Sequence, residues 1–365
     1  MELKDIKFDC KYFKGEIPCL PNKLRQKNCG NCDEYQKISK RILIIKLGAL
    51  GDVIRTTPLV TAFRNIYPGC HITWVTYSPE ILPDDAIDQI LKFDFNTVYA
   101  ITHRPFDIAI NLDKEIEACS LLFDVSASEK YGFTRNVNHI DIATPAAKHK
   151  LMTGFFDELS KANTKSYTEE IFEICHLKFK GEPYLLKINN NLVQKWNAIK
   201  ERAGGKIVVG LNTGCGKRWS TRLWPTQYWL ELIRMLQENN FYPIVLGGPD
   251  EDAQNKIYAQ ETGCYYPGTF SLEEFIAISA NCDVIVSAVS MMMHIAVGLQ
   301  KPLVLFNNIF NKHEFDLYGR GKIVEPSSGC ECYYGNSCKR ENHCMNSLAV
   351  ADVFNAVEEL SLLEK

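Results

Sequence analysis

The chain has 365 residues, of which 46% are hydrophobic and 23% charged, and its formal net charge is −3 at pH 7. This length predicts about two domains with their own cores, and the near-neutral charge gives no indication of a nucleic-acid partner. The sequence contains no run of eighteen apolar residues and no signal-peptide core at its N-terminus, so we expect a cytoplasmic protein without a membrane span.

Residues 1–40 form a separate cysteine-rich segment with little hydrophobic periodicity. The segment carries Cys10, Cys19, Cys29 and Cys32, and the last two have the spacing of a metal-binding knuckle. A short segment with few apolar residues needs an additional source of stability, which four thiolates on a zinc ion would supply. We therefore predict a structural metal here, with a disulfide pair or free thiols as the alternatives.

Residues 41–185 are predicted to form a Rossmann-like domain in which strands and helices alternate. The predicted strands cover 42–47, 72–77, 97–101 and 108–112, and a helix covers 169–177. The polar stretch 136–167 has no clear periodicity, and we expect a substrate-facing loop or short helices there. A connection containing Gly and Pro at 180–186 ends this domain.

The most informative segment is the one that opens this domain, a buried strand followed by a glycine-containing turn and a helix. Gly48 and Gly51 allow a sharp turn and close approach to a ligand, and Asp52 lies where the helix begins. Its carboxylate follows the carboxyl end of a strand, where α/β folds place their chemistry, although capping the helix is the alternative role. The spacing lacks the first glycine pair of the dinucleotide fingerprint, which argues against a nicotinamide cofactor.

Residues 186–345 are predicted to form a second Rossmann-like domain, followed by a C-terminal helix within 346–365. Strands are predicted at 207–211, 243–246, 284–287 and 303–306, and helices at 227–239, 251–261, 272–280, 290–299 and 348–360. Two successive βα arrays predict two doubly wound α/β domains with a cleft between them. Such an architecture suits an enzyme that joins two substrates, one held by each domain.

Three loops of the second domain follow strands and carry candidate donor-binding residues. The first loop offers Thr213, the amides around Gly214 and the cation of Lys217, which suit a phosphate or diphosphate; a solvated surface loop is the alternative. In the second loop, Asp250 or Glu251 would accept hydrogen bonds from ribose hydroxyls, although both also suit a helix N-terminus.

The third loop precedes the helix predicted at 290–299. Ser290 is a natural N-cap, and the amides of Met291 and Met292 would point toward a bound phosphate. The methionines are equally suited to the core. His294 is a candidate for donor binding, but a buried histidine with satisfied hydrogen bonds is the more frequent role for such a residue.

A second cysteine group lies near the C-terminus, whereas six other cysteines are scattered through predicted elements. The group comprises Cys330, Cys332, Cys338 and Cys344. Clustered cysteines in a reducing compartment indicate metal ligation, but thiolate ligands alone do not distinguish zinc from iron. The alternative is that thiols from both cysteine groups converge on one metal site.

Together these motifs resemble the heptosyltransferases of glycosyltransferase family nine, which have the two-domain GT-B fold. The resemblance runs from Arg41 to the C-terminal helix and is carried by the residues around Asp52, the loop 213–219 and the stretch 293–302. It implies transfer of a heptose from ADP-heptose, with inversion, to a protein or glycolipid acceptor. On this resemblance Asp52 is the general base, Gly51 is part of its motif, Lys217 contacts the diphosphate, and Glu251 or Asp250 holds the ribose.

The sequence also departs from the family. Val289 stands where the family usually has an aspartate, and Asn307 replaces a usual glycine in what we expect to be the donor-pocket wall. These changes keep two alternatives open, a transferase that uses another nucleotide sugar and a non-catalytic scaffold. The C-terminal cysteines resemble those that hold iron in heptosyltransferases of bacterial autotransporter proteins. We expect any metal to be structural and not required for transfer, and the cysteine-rich ends to offer contacts for a homo-oligomer.

Overall fold

The computed structural model describes residues 2–216 and 218–364, with the side chain of residue 364 excluded. The chain divides into two compact units. One contains Met1–Gly48, Thr56–Leu151 and Ile171–Glu182, and the other contains Ala49–Arg55, Met152–Glu170 and Pro183–Lys365. The described residues contain no helix that is long and apolar enough to cross a membrane.

The first unit is built on a six-stranded, mostly parallel sheet. Its strands are β1 (Arg41–Ile45), β2 (His71–Thr76), β3 (Gln89–Lys92), β4 (Phe106–Asn111), β5 (Ala127–Arg135) and β6 (Ile140–Ile142). Their order is β3-β2-β1-β4-β5-β6, and only β6 is antiparallel to its neighbour. All residues of β2 are buried, as expected for a strand that is covered on both faces.

The helices that precede residue 175 belong partly to the first unit and partly to the second. The helices, in chain order, are α1 (Leu20–Arg25), α2 (Leu50–Thr56), α3 (Pro58–Ile66), α4 (Phe95–Thr102), α5 (Ile116–Asp124), α6 (Lys148–Phe155), α7 (Asp157–Ala162) and α8 (Tyr167–Ile174). The predicted strand at 97–101 is wrong, because these residues lie in α4. The carboxylate of Asp94 accepts a hydrogen bond from the Thr97 amide at 2.8 Å, and this N-cap starts a helix despite the β-favouring residues that follow.

The polar stretch 136–167 contains short helices, which were one of the two predicted possibilities, and it also contains strand β6. Residues 140–142 pair with β5, where Thr134 lies opposite Asp141. Two short α-helices, α6 and α7, and the start of α8 fill the rest of the stretch. A polar composition therefore concealed an edge strand, because one exposed face of such a strand needs no apolar residues.

The second unit contains a five-stranded parallel sheet. Its strands are β7 (Ile207–Asn212), β8 (Phe241–Leu246), β9 (Val284–Ala288), β10 (Leu303–Phe306) and β11 (Gly321–Val324), in the order β11-β10-β9-β7-β8. The helices of this unit are α9 (Asn190–Lys195), α10 (Ala198–Ala203), α11 (Thr226–Glu238), α12 (Asp252–Thr262), α13 (Leu272–Ala280), α14 (Met291–Gly298) and α15 (Val350–Ser361). The α/β class with two largely parallel sheets is thus confirmed.

The compact units have different bounds from the predicted domains. Residues 49–55, which include Asp52, and residues 152–170 belong to the second unit, although the prediction placed both within 41–185. The start of α2 packs with the second unit because Gly51 lies directly against His294 of α14. The proposed catalytic carboxylate and the loops of the second sheet are therefore parts of one compact unit.

Candidate functional site

A cavity of about 380 Å³ opens at the carboxyl ends of β7, β8 and β9. The strand order reverses between β7 and β9, and such a switch point is where open α/β sheets bind ligands. The lining residues come from α2, from the three loops and from α13: Leu50, Asn212, Gly214, Cys215, Gly216, Gly247, Gly248, Pro249, Asp250, Glu251, Phe270, Leu272, Phe275, Ser290, Met291 and Met292. All three predicted donor loops therefore reach the same cavity.

Glu251 is held between two glycines. A Cβ atom on Gly214 would clash with the carboxylate Oε1 of Glu251, and one on Gly247 would come within 2.8 Å of the Glu251 Cβ. The amide of Gly248 donates a hydrogen bond to Glu251 Oε2 at 2.9 Å. Any side chain at 214 or 247 would displace the carboxylate, so these glycines fix its position at the cavity wall.

Buried hydrogen bonds connect the loops that form the cavity. Asn212 Nδ2 donates to Gly214 O at 2.9 Å and to Ser287 Oγ at 3.1 Å, and Ser287 Oγ lies 3.2 Å from Ser290 Oγ. Below them, Thr213 Oγ1 donates to Asn255 Oδ1 at 2.7 Å. Thr213 thus supports the loop, whereas Gly214 lines the cavity.

The N-terminus of α14 faces the cavity, as the sequence predicted. Ser290 Oγ accepts a hydrogen bond from the Met292 amide at 3.2 Å, which confirms Ser290 as the N-cap. Met291 is half-buried, and Met292 is almost fully buried, with its side chain in the core. The partial positive charge of a helix N-terminus favours an anionic group at this wall.

Asp52 is part of a charged cluster within the second unit. Its Oδ1 pairs with Arg55 Nη2 at 2.8 Å, and Arg55 also lies 4.0 Å from Glu314 Oε2 and stacks 3.7 Å from the ring centre of Tyr167. Burial alone would lower the pKa of Arg55, but Asp52, Tyr167 and Glu314 raise it above its ordinary value. Arg55 is therefore a permanent cation that orients the Asp52 carboxylate.

His294 lies beneath this cluster and is not a cavity-lining residue. Its ring would clash with any Cβ at Gly51, and the Tyr184 ring stacks 6.2 Å away. Burial and the nearby Arg55 cation lower the pKa of His294 to about 3, against a weaker opposing effect of Asp52. Its Nδ1 has no hydrogen-bond partner among the described residues. At neutral pH the imidazole is therefore uncharged and positions the Gly51 turn.

Lys217, the predicted diphosphate contact, lies outside the described residues. The two tryptophans near it have structural contacts. Trp224 is buried and donates from Nε1 to Leu348 O at 3.0 Å, and Trp219 packs edge-on against Phe310 and Tyr334. The aromatic residues in the cavity lining are Phe270 and Phe275.

A sequence model of glycosyltransferase family 9 (heptosyltransferase) matches residues 97–320. The chain belongs to this family. It is accordingly a glycosyltransferase, and the family expectation drawn from its motifs is confirmed.

The comparisons with individual proteins agree with this assignment. The family 9 chain is 23% identical to lipopolysaccharide heptosyltransferase 1 of Escherichia coli O18:K1:H7 over 313 residues, which are 80% of this chain and 93% of that protein. It is 22% identical to lipooligosaccharide heptosyltransferase 2 of Haemophilus influenzae over 289 residues, 72% of this chain and 82% of that protein.

Solved structures of the family share the fold. A family 9 glycosyltransferase from Veillonella parvula superposes with a TM-score of 0.68 at 19% identity, covering 89% of this chain and 98% of that one. E. coli ADP-heptose lps heptosyltransferase II gives 0.64 at 14%, covering 89% and 99%. The iron-containing dodecameric glycosyltransferase TibC from enterotoxigenic E. coli gives 0.54 at 14%, covering 90% and 78%. This family 9 chain thus has two largely parallel α/β sheets, similar to those of GT-B heptosyltransferases.

The departures from the family pattern have different structural contexts. Val289 is buried, and its amide donates to Phe306 O at 3.2 Å. Asn307 was expected in the donor-pocket wall, but among the described residues it is not part of the cavity lining. Its Nδ2 donates to Phe310 O and to Glu325 Oε1, both at 3.0 Å, so Asn307 holds the loop after β10.

The four N-terminal cysteines, Cys10, Cys19, Cys29 and Cys32, line one cavity of about 270 Å³ in the segment 1–40. They have no disulfide partners. Within residues 2–216 and 218–364, no group of three or more His, Cys, Asp or Glu side chains is arranged to hold a metal ion. A metal at this cluster therefore stays a prediction.

The C-terminal cysteines form two interacting pairs. The thiol of Cys344 interacts with that of Cys330, and the thiol of Cys332 interacts with that of Cys338. The amides of Cys332 and Lys339 donate to Cys330 Sγ at 3.4 Å and to Cys332 Sγ at 3.3 Å, respectively. Such N–H to sulfur contacts are compatible with thiolate ligands, but the metal prediction for Cys330, Cys332, Cys338 and Cys344 also remains without support from the described geometry.

Sequence reasoning missed the groups that support the predicted residues. Arg55 and Glu314 around Asp52, and Asn212, Ser287 and Asn255 beneath the loops, were not identified. Only Arg55, three residues after Asp52 on a predicted helix, carried a readable signal, because residues at that spacing lie on one helix face.

Proposed function

We propose that this enzyme transfers a heptose from ADP-heptose to a hydroxyl acceptor, with inversion at the anomeric carbon. The observation that carries the proposal is the cavity at the switch point of the second sheet, where Glu251, the N-terminus of α14 and the Asp52 turn lie within one compact unit. The relatives support the donor: one is an E. coli ADP-heptose heptosyltransferase, and TibC has been solved in complex with ADP-D-β-D-heptose.

The cavity has the groups that an adenosine diphosphate needs. The Glu251 carboxylate, fixed between Gly214 and Gly247, would accept hydrogen bonds from the ribose hydroxyls, with Asp250 beside it. Phe270 and Phe275 offer an apolar wall for the adenine. The N-terminus of α14 and Lys217 would balance the charge of the diphosphate. The donor thus binds with its sugar directed to the Asp52 side, where Leu50 lines the cavity.

The transfer step needs a base, because the pKa of a sugar or protein hydroxyl lies far above neutrality. As the acceptor oxygen attacks the anomeric carbon, its proton passes to the Asp52 carboxylate. A new carbon–oxygen bond forms, the bond from that carbon to the diphosphate breaks, and its electron pair leaves with ADP. Arg55 holds the carboxylate in position, and the α14 amides and Lys217 stabilise the leaving diphosphate. These groups make no use of the cysteine clusters.

The test compares ADP release from ADP-heptose by the wild type, Asp52→Asn and the matched charge control Asp352→Asn, whose side chain is exposed on α15. ADP binding is measured in parallel by calorimetry. We expect Asp52→Asn to bind ADP normally and to release it about 10²- to 10⁴-fold more slowly, the usual contribution of a general base. The control should match the wild type.

Two results would contradict the proposal: unchanged turnover in Asp52→Asn, or ADP binding that Glu251→Ala leaves intact. A panel of other nucleotide diphosphate sugars tests the alternative donor that Val289 suggests, because a transferase with another donor would release nucleotide from that sugar and not from ADP-heptose. Wild type that binds no nucleotide would also contradict the proposal.

Acceptor, assembly and metal are further parts of the proposal. A protein acceptor and a lipopolysaccharide-type glycan are assayed separately, since similarity extends both to lipopolysaccharide enzymes and to TibC. Because TibC is dodecameric and iron-containing, we propose a homo-oligomer with zinc or iron at a cysteine cluster. Light scattering and elemental analysis of the purified protein test these two points, and a monomer free of metal would contradict both.

A further inference from the structure

A second cavity, of about 370 Å³, lies at the amino-terminal edge of the first sheet. Arg41, His71 and Gln89 are the first residues of β1, β2 and β3, and Arg104 and Pro105 directly precede β4. The segment 1–40 contributes the remaining wall, with Phe8, Cys10, Lys11, Phe13, Lys14 and Ile38. Because ligands of α/β folds bind at carboxyl ends, the general architecture does not explain this cavity.

Cations outnumber anions in the lining. Lys11, Lys14, Arg41 and Arg104 face a single carboxylate, Asp88. That carboxylate is already engaged, because it pairs with Lys11 Nζ at 3.0 Å and with Arg64, and accepts from the Ile72 amide at 2.8 Å. Three basic side chains of the lining thus remain without a counter-charge from it.

Within the described residues neither arginine side chain forms an ion pair with a carboxylate, although Asp107 accepts a hydrogen bond from the Arg41 backbone amide at 2.7 Å. Arg104 Nη1 donates to the neutral Gln89 Oε1 at 3.0 Å, and its guanidinium lies 5.6 Å from the Phe106 ring. Burial and the charge of Arg41 both lower the pKa of Arg104. Within the described residues, the Arg41 guanidinium has no ion pair or hydrogen bond. Two guanidinium groups are therefore held against their mutual repulsion.

The remaining polar residue, His71, does not compensate the charge. It is buried at the start of β2, and burial lowers its pKa to about 4, so it is neutral at physiological pH. The cavity consequently combines a volume of about 370 Å³, two guanidinium groups and a net positive lining, and guanidinium groups bind phosphate through bidentate hydrogen bonds.

We propose that this cavity is a second anion site, which binds the phosphate group of a small phosphorylated ligand between Arg41, Arg104 and the lysines of the N-terminal segment. The proposal gives the segment 1–40 a role that the transfer reaction does not supply. It does not rest on the proposed donor or on Asp52, since none of its residues belongs to the switch-point cavity.

The experiment measures thermal unfolding and calorimetric binding of the full chain with inorganic phosphate, pyrophosphate and ribose 5-phosphate as probes, at constant ionic strength set with chloride. Variants are Arg41→Gln and Lys14→Gln, with Arg234→Gln of α11 as the matched control. We expect each probe that binds to raise the melting temperature of wild type and control. Arg41→Gln should lower the affinity at least ten-fold and abolish the rise, while keeping a melting temperature at or above that of wild type without anion.

An equal rise in wild type and Arg41→Gln would mean general salt exclusion and would overturn the site, as would no binding of any probe by wild type. Because Lys14 is exposed, Lys14→Gln cannot disturb the packing, and we expect it to weaken binding several-fold. If both Arg41→Gln and Lys14→Gln bind the probes like wild type, the proposal fails. Tighter binding of ribose 5-phosphate than of inorganic phosphate identifies a phosphate ester as ligand, whereas equal binding identifies free phosphate.

Discussion

The two sheets reverse their strand order in the same way, but a buried ion pair lies at the reversal point of the first sheet and a cavity lies at that of the second. In the first sheet the order changes between β1 and β4, where Lys46 and Asp113 follow the two strands. Their side chains form an ion pair that is about 5% exposed, and Asp113 also accepts from the Leu47 amide. In the second sheet the corresponding position is the cavity of about 380 Å³ lined by Glu251 and the start of α14.

This difference indicates that the strand order defines where a ligand can bind, and that the side chains at that place determine whether one does. At the first reversal a cation and an anion of the chain form a buried ion pair with each other. At the second, glycines at 214 and 247 keep space beside a carboxylate, and the N-terminus of α14 is part of the cavity wall. We therefore expect substitutions at the first to affect stability and those at the second to affect binding.

The largest expected effect is on stability, at the reversal point of the first sheet. Lys46→Met leaves the Asp113 carboxylate buried without its cation, and breaking one side of a buried ion pair costs about 3–5 kcal/mol. Urea unfolding of the purified protein measures this loss. The double variant Lys46→Met with Asp113→Asn should recover most of it, since neutral Asn can still accept from Leu47. A single variant as stable as wild type would show that the pair is not structural.

The sequence allowed this contrast to be drawn only in part. The apolar run 42–45 predicted a buried strand correctly, and Ser290 was recognised as an N-cap, because both signals are local. The Asp94 cap was overlooked, so β-favouring residues at 97–101 were misassigned. Strand β5 was missed because its residues are largely part-exposed and polar.

Contacts between distant parts of the chain could not be predicted from the sequence. The Arg55–Glu314 pair joins residues of α2 and of the loop after β10, and no periodicity connects them. For the same reason the sequence could not show that Asp113 neutralises Lys46, or that Asn307 supports a loop instead of lining the donor cavity. Patterns locate candidate groups, but their partners depend on the folded packing.

The next effect is smaller and concerns the buried imidazole beneath the reversal point of the second sheet. The pKa of His294 is lowered from 6.5 to about 3, so the unfolded chain binds a proton there between these values and the folded protein does not. Its contribution to stability is complete above pH 6.5 and is lost as the pH falls toward 3. At pH 5 the loss is about 2 kcal/mol, 1.5 pH units at about 1.36 kcal/mol each.

Urea unfolding at pH 7.5 and pH 5 measures this loss in wild type and in His294→Gln. The decrease in unfolding free energy between the two pH values should be about 2 kcal/mol smaller in the variant. His71 lies in the other unit, and its pKa is lowered to about 4, so its protonation also decreases the unfolding free energy as the pH falls. His71→Gln is therefore the matched comparison. An unchanged pH dependence in His294→Gln would contradict a neutral buried imidazole.

The smallest expected effect tests whether the position of the Glu251 carboxylate, at the reversal point of the second sheet, determines the affinity for ADP. Gly214→Ala would push the Glu251 carboxylate from its place, and we expect about a ten-fold loss of ADP affinity, about 1.4 kcal/mol. Gly248→Ala is the matched control in the same cavity, because its Cβ would lie at an ordinary 3.5 Å from Glu251 Oε2. Calorimetry with ADP distinguishes the two. Equal affinities in both variants would mean that the position of Glu251 does not determine donor binding, and that this reversal point selects its ligand through α14 alone.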